Sequence, residues 1–226
     1  MPTLTSFTTP AARAEAEITV KKSRFIAHVL PIQSVGEADE ALAAIRVAHK
    51  AANHNCFAYT VGLSVPLERY SDDGEPSGTA GRPILEVIRR QGLSNLMVVV
   101  TRYFGGTLLG ANGLVRAYTE ATVAALKHTP LLRCQQMVQL CVTADYSHFG
   151  KMEHELSQTA CFVTRQDFGA QVTLEIWVSQ EEGTELVAAV ADWTHGQAKI
   201  VVSQPQWVGV DGNRNLVLSV WPEQEP

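Results

Sequence analysis

The feature that most restricts this fold is a repeated switch between strand-like alternation and helical spacing from Met137 to Ser203. Met137–Thr143 alternates apolar and polar residues, as a half-buried strand does. Ser147–Gln158 then carries helical spacing. Cys161–Gln166 and Val172–Val178 read as two strands joined by the hairpin-like turn Asp167–Phe168–Gly169–Ala170. Glu181–Trp193 puts Leu186, Val187, Val190 and Trp193 on one helical face, Gly196 ends it, and Ala198–Ser203 is a last strand. The order βαββαβ is the split-βαβ, or ferredoxin-like, pattern. Gln204–Pro226 is left as a tail, with an extra strand expected at Leu216–Trp221.

The first half mixes the same elements with longer loops. Glu17–Val20 and Arg24–Leu30 are expected as strands around the basic turn Lys21–Lys22–Ser23. Ser34 followed by Glu37 has capping-box spacing and opens an alanine-rich helix to about Ala51. Cys56–Leu63 alternates, Glu68–Arg82 is a long polar loop, and Pro83 with Gly92 brackets a short helix. Leu96–Thr101 is a continuous apolar strand. Gly105, Gly106 and Gly110 make a glycine-rich turn into a helix over Asn112–Lys127, which Pro130 closes. The expected class is α+β, with an N-terminal domain over 1–133, a C-terminal domain over 134–204 and a tail over 205–226.

The 226 residues are 46% hydrophobic, enough for real cores. No apolar run approaches the roughly 18–20 residues of a membrane helix. The Thr- and Pro-rich start has no basic segment followed by an apolar one, so no signal peptide is expected and the location is read as cytoplasmic. Cys56, Cys134, Cys141 and Cys161 form no Cys-x-x-Cys pair and read as reduced, mostly buried thiols. Charge is uneven. Residues 1–133 carry 14 basic against 11 acidic side chains, a balance of +3, and residues 134–226 carry 4 against 12, a balance of −8. That argues against a tight, non-specific nucleic-acid binder.

Four segments can carry chemistry. Arg69–Arg82 (RYSDDGEPSGTAGR) holds Asp72, Asp73 and Glu75, which can ligate a hard divalent cation. It also holds Ser77, Gly78, Gly81 and Arg82 before a helix start, where free amides favour a phosphate. A solvated loop whose acids cap turns fits equally well. Val98–Arg116 runs from a buried strand through Arg102, Tyr103, Phe104, Gly105 and Gly106 to a helix bearing Arg116. Its spacing matches neither a P-loop nor Gly-x-Gly-x-x-Gly. Tyr103 and Phe104 can stack on bases with Arg102 on a phosphate, although a core position is the stronger reading for Phe104. His49 suits a helix C-terminus, whereas His54, in a loop, is the better candidate for a functional role. Lys21, Lys22 and Arg24 gain weight only where the fold brings them near Arg82 and Arg102.

Taken together, KKSRFIA at Lys21–Ala27, NHNCFAY at Asn53–Tyr59, SDDGEPSGTAGRPIL at Ser71–Leu85 and VVVTRYFGGTLLGANGLVRAY at Val98–Tyr118 resemble the IMPACT family, specifically its bacterial YigZ-like members. The resemblance spans most of Lys21–Lys127. It implies an N-terminal domain with the α+β fold shared by a ribosomal small-subunit protein and a translocation elongation-factor domain. It also implies a ferredoxin-like C-terminal domain, in agreement with the βαββαβ order. Eukaryotic members regulate translation by competing for the activator of an initiation-factor kinase; that partner does not transfer to a bacterial-type chain, but a link to translation or RNA does.

The leading expectation is a non-enzymatic regulator that contacts RNA, a ribosome or a translation factor through its N-terminal loops. In this reading Arg24, Arg69, Arg82, Arg102 and Arg116 meet phosphates or acidic groups, and Gly105 and Gly106 admit close backbone approach. The rival is a metal-assisted enzyme acting on a phosphate-containing substrate, with Asp72, Asp73 and Glu75 on the metal and His54 as acid or base. No cofactor beyond a divalent cation is implied. A third reading is a pure protein-interaction module docking through the acidic C-terminal domain.

Overall fold

The computed structural model describes residues 6–63, 65–218 and 220. The chain forms two compact units, one up to Cys134 together with Gly209–Val217, the other centred on Gln135–Val208.

In the first unit, β1 (Ser6–Pro10) precedes the hairpin β2 (Ala14–Val20) and β3 (Ser23–Pro31). Helix α1 (Val35–Ala48) follows, then β4 (His54–Val61), β5 (Leu67–Ser71), α2 (Gly81–Arg90), β6 (Leu96–Tyr103) and α3 (Ala111–Lys127). Ser34 caps α1 by accepting the Glu37 amide, and His49 is the C-cap, so the helix ends before the expected Ala51. The sheet order is β2-β3-β6-β4-β5, antiparallel throughout. β6 lies at its centre. Both of its faces are covered, which is why its sequence is an unbroken apolar run rather than an alternating one. Phe25, Val29, Ala58, Val98 and Val100 on one face join Ile84, Ile88 and Tyr118 of α2 and α3 in a single core. Ala117, Ala121 and Ala125 recur every fourth residue, and these small side chains bring α3 close to β2 and β3. The alternate residues Ile26, Tyr59, Met97 and Val99 are also buried, and α1 packs over β4.

Two strands here depart from expectation. Ser6–Pro10 is a strand within a Thr- and Pro-rich start. Leu67–Ser71, all but its first residue expected in the polar loop Glu68–Arg82, pairs with β4 at the sheet edge. Edge strands need little apolar pattern because one side and much of one face meet water.

The second unit contains β7 (Leu131–Ala144) from Gln135 onward, α4 (Tyr146–Ser157), β8 (Phe162–Phe168), β9 (Val172–Ser179), α5 (Gln180–Trp193) and β10 (Lys199–Val202). Their antiparallel pairings give the order β10-β7-β9-β8, the ferredoxin-like arrangement. Leu140, Val142, Leu174 and Ile176 pack with Met152, Leu156, Leu186 and Val190 of the helices. The expected tail instead supplies β11 (Gln206–Val210) and β12 (Leu216–Val217), which pair with each other. The strand expected over Leu216–Trp221 is observed only as β12; residues 219 and 221 lie outside the described residues. Among the described residues no helix is long and apolar enough to cross a membrane.

Candidate functional site

One end of the first sheet gathers the start of β3, the start of β4, the end of β6 and the loop between β5 and α2. Their meeting point is Glu75, whose side chain is only 3% exposed. Its Oε1 accepts Arg102 Nη1 at 2.6 Å and the Tyr118 hydroxyl at 2.7 Å. The Arg102 guanidinium lies over two rings, 5.4 Å from the Phe25 centroid and 5.5 Å from that of Phe104. Cys56 Sγ is 3.3 Å from the Tyr118 oxygen and 2.9 Å from the Asp72 carbonyl oxygen. Burial pushes the Cys56 thiol up to about 12 and raises the Tyr118 phenol as well, so both stay protonated.

Arg102 therefore does not reach outward to a phosphate. With a side chain 7% exposed, it is a buried ion-pair partner that fixes the loop, and this corrects the expectation from sequence. The acids are corrected too. Asp72 caps α2 from a distance: Oδ1 accepts the amides of Ala80 and Gly81, and Oδ2 accepts that of Gly78. The anion cradle expected from Gly78 and Gly81 is thus filled by the chain's own carboxylate. Asp73 accepts the Asn55 amide and pairs with Arg46 at 2.7 Å. Asp72, Asp73 and Glu75 serve three different sets of donors and do not converge as a ligand set. Among the described residues no three His, Cys, Asp or Glu side chains are grouped to hold a metal.

The basic turn does come near Arg102. Ser23 Oγ accepts the Gly105 amide at 3.1 Å and lies 3.5 Å from Arg102 Nη2. Lys21 and Lys22 form the two-residue turn between β2 and β3, both at positive φ. Arg24 pairs with Glu17 at 2.8 Å and sits over the Tyr103 ring, while the Tyr103 hydroxyl meets His49 Nδ1. Arg69, Arg82 and Arg116 are exposed, on β5, α2 and α3 respectively, and Ser77 is exposed in the loop. Gly106 takes positive φ with open space around it.

A cleft of about 410 Å³ opens beside this network. Its walls include His54, Glu75, Arg102, Phe104, Leu108 and Leu114. Phe104, expected in the core, is 44% exposed, and Leu108 is 83% exposed. Asn53 Oδ1 accepts the Phe104 amide and holds this turn against the start of β4. His54 Nδ1 lies 2.8 Å from the Asp73 carbonyl oxygen, and its Nε2 is 4.0 Å from Glu75 Oε2. Sequence reasoning missed Asn53, Cys56 and Tyr118. For Tyr118 a signal existed, since Leu114, Tyr118 and Thr122 share a helical face with an acid-rich loop to meet.

Comparison with known proteins follows the same two units. Residues 21–126 match the family model described as the Impact N-terminal domain, and residues 142–197 match a domain of unknown function, DUF1949. The chain is 37% identical over 197 residues to the IMPACT family member YvyE of Bacillus subtilis (strain 168), covering 87% of this chain and 91% of that one. It is 31% identical over 198 residues to the IMPACT family member YigZ of Escherichia coli (strain K12), covering 87% and 97%. A crystal structure of a hypothetical protein aligns at 30% identity with a TM-score of 0.58, covering 89% of this chain and 99% of that chain.

Proposed function

This chain belongs to the IMPACT family, and from that premise we propose that it is a non-enzymatic regulator linked to translation that binds RNA, on the ribosome or free, through the loops of its N-terminal unit. The observation that carries this reading is a set of uncompensated cations. Lys21, Lys22, Arg69, Arg82 and Arg116 are all exposed, and none has an ion pair among the described residues. They belong to the half of the chain with the positive balance. Arg102 and Arg24, by contrast, are already paired. Phosphate contacts therefore fall to side chains outside the buried network, and the network holds the loops in shape.

The test is binding of the purified protein to ribosomes and to single-stranded RNA across a salt series. The expected result is an affinity that falls linearly with salt on logarithmic axes, with the slope reduced by roughly one for each arginine removed in Arg82→Ala and Arg116→Ala. Absence of binding to both at low salt would overturn the reading.

A further inference from the structure

We infer that the cleft beside Arg102 takes a single unpaired RNA base bearing an amino group, an assignment that rests on the RNA reading above. Proton positions come first. The Asp73 carbonyl oxygen can only accept, so His54 Nδ1, 2.8 Å away, donates to it. In the neutral ring Nε2 is then a bare acceptor. It faces Glu75 Oε2 at 4.0 Å, and a carboxylate oxygen has no proton to offer. Glu75 Oε1 is already occupied by Arg102 and Tyr118, which leaves Oε2 for the cleft. Two acceptors at this separation are bridged by one –NH₂ group, whose two hydrogens diverge toward them.

The walls select the rest of the ligand. Phe104 exposes its ring and is backed by the Arg102 guanidinium, and Leu108 and Leu114 add apolar surface. A flat ring gains most from such a wall, because base–aromatic stacking needs a π-face on both partners. The volume, about 410 Å³, lies in the range of small-molecule pockets and suits one nucleoside-sized group. A phosphate is disfavoured here, since His54 Nε2 and Glu75 Oε2 are both acceptors and offer its oxygens no proton. A lysine from a protein partner gains little charge attraction, because Arg102 already neutralises Glu75. Adenine, cytosine and guanine carry the amino group; uracil does not.

The experiment is fluorescence anisotropy of the full chain with short labelled oligo(C) and oligo(U) at one low salt concentration, with thermal melts confirming that each variant is folded. Oligo(C) is expected to bind about tenfold more tightly than oligo(U). His54→Ala brings that ratio to about one, and Phe104→Ala, a change at an exposed ring, weakens oligo(C) by about tenfold through lost stacking. Equal binding of the two oligomers by the unmodified chain, or a preference that survives His54→Ala, overturns the base pocket and leaves RNA binding standing. No binding of either oligomer overturns the base pocket, and absence of ribosome binding as well overturns the RNA reading.

Discussion

Gly105 packs against the backbone of Lys22 so closely that a Cβ on Gly105 would lie 2.0 Å from the Lys22 carbonyl carbon. That contact locks the β2–β3 turn onto the turn that follows β6. Neither backbone can yield without dragging its strand. Gly105→Ala is therefore expected to destabilise the fold by about 1–3 kcal/mol, the usual cost of overpacking, read from the midpoint of denaturant unfolding. At Gly106 and Gly110 a Cβ meets nothing, and the expected loss, about 1–3 kcal/mol, comes only from positive φ.

The lysines in that turn occupy backbone that glycine and asparagine prefer. Lys21 has φ 46° and Lys22 φ 69°. Glycine adopts such angles with no Cβ to clash, so Lys22→Gly should stabilise the chain by about 1 kcal/mol. The same change removes one cation and should lower RNA affinity by one phosphate contact. A melt and a binding isotherm on the same variant check both halves.

Arg102 and Glu75 are a buried pair, and breaking such a pair strands one charge. Arg102→Ala or Glu75→Ala is expected to cost about 3–5 kcal/mol, with the loop from Asp72 to Ala80 released. Arg82→Ala and Arg116→Ala change exposed side chains and should stay within about 0.5 kcal/mol of the unmodified chain. Denaturant unfolding of the four variants separates a residue that holds the site from residues that face a ligand.

His28 sets a pH dependence. Burial is the main cause of its lowered pKa; neighbouring His49, 5.1 Å away between ring centres, adds to it, and Glu15 opposes it. The folded state binds this proton less readily than the unfolded chain does. Stability is then fully present above the ordinary histidine value of about 6.5 and is lost as pH falls below it through the folded pKa. Melting temperature should drop on acidification across that window, and His28→Leu should flatten that part of the slope.

The thiols divide by burial. Cys56 and Cys134 are buried, and burial pushes each thiol up to about 12. Cys141 and Cys161 are half-buried. A thiol-reactive dye near neutral pH should modify all four cysteines in denaturant, but only Cys141 and Cys161 in the folded chain. Rapid modification of native Cys56 would contradict the closed Glu75–Tyr118–Cys56 network.

The elements legible in the sequence are those whose pattern is set by burial. The apolar run Leu96–Thr101 is the central strand, and the alternation in Met137–Thr143 lies within β7. Elements with weak burial were not legible. Leu67–Ser71 is polar and pairs at an edge, and Ser6–Pro10 carries no strong alternation, so the pairing partner rather than the segment makes each a strand.

The sequence by itself determined the α+β class, the βαββαβ order of the second unit and the segments that meet at the candidate site, because side-chain periodicity and turn chemistry are local properties. Only the tertiary structure decided what those segments do there. Asp72 and the amides of Gly78 and Gly81 lie in one loop, yet that the acid fills the amides depends on backbone angles no residue type specifies. Glu75 and Arg102 are 27 residues apart, and the packing of the β5–α2 loop against the end of β6 turned an expected phosphate ligand into a buried partner of an expected metal ligand. Phe104 reads as core by its hydrophobicity, but the chain leaves the sheet at that point and its ring faces the cleft.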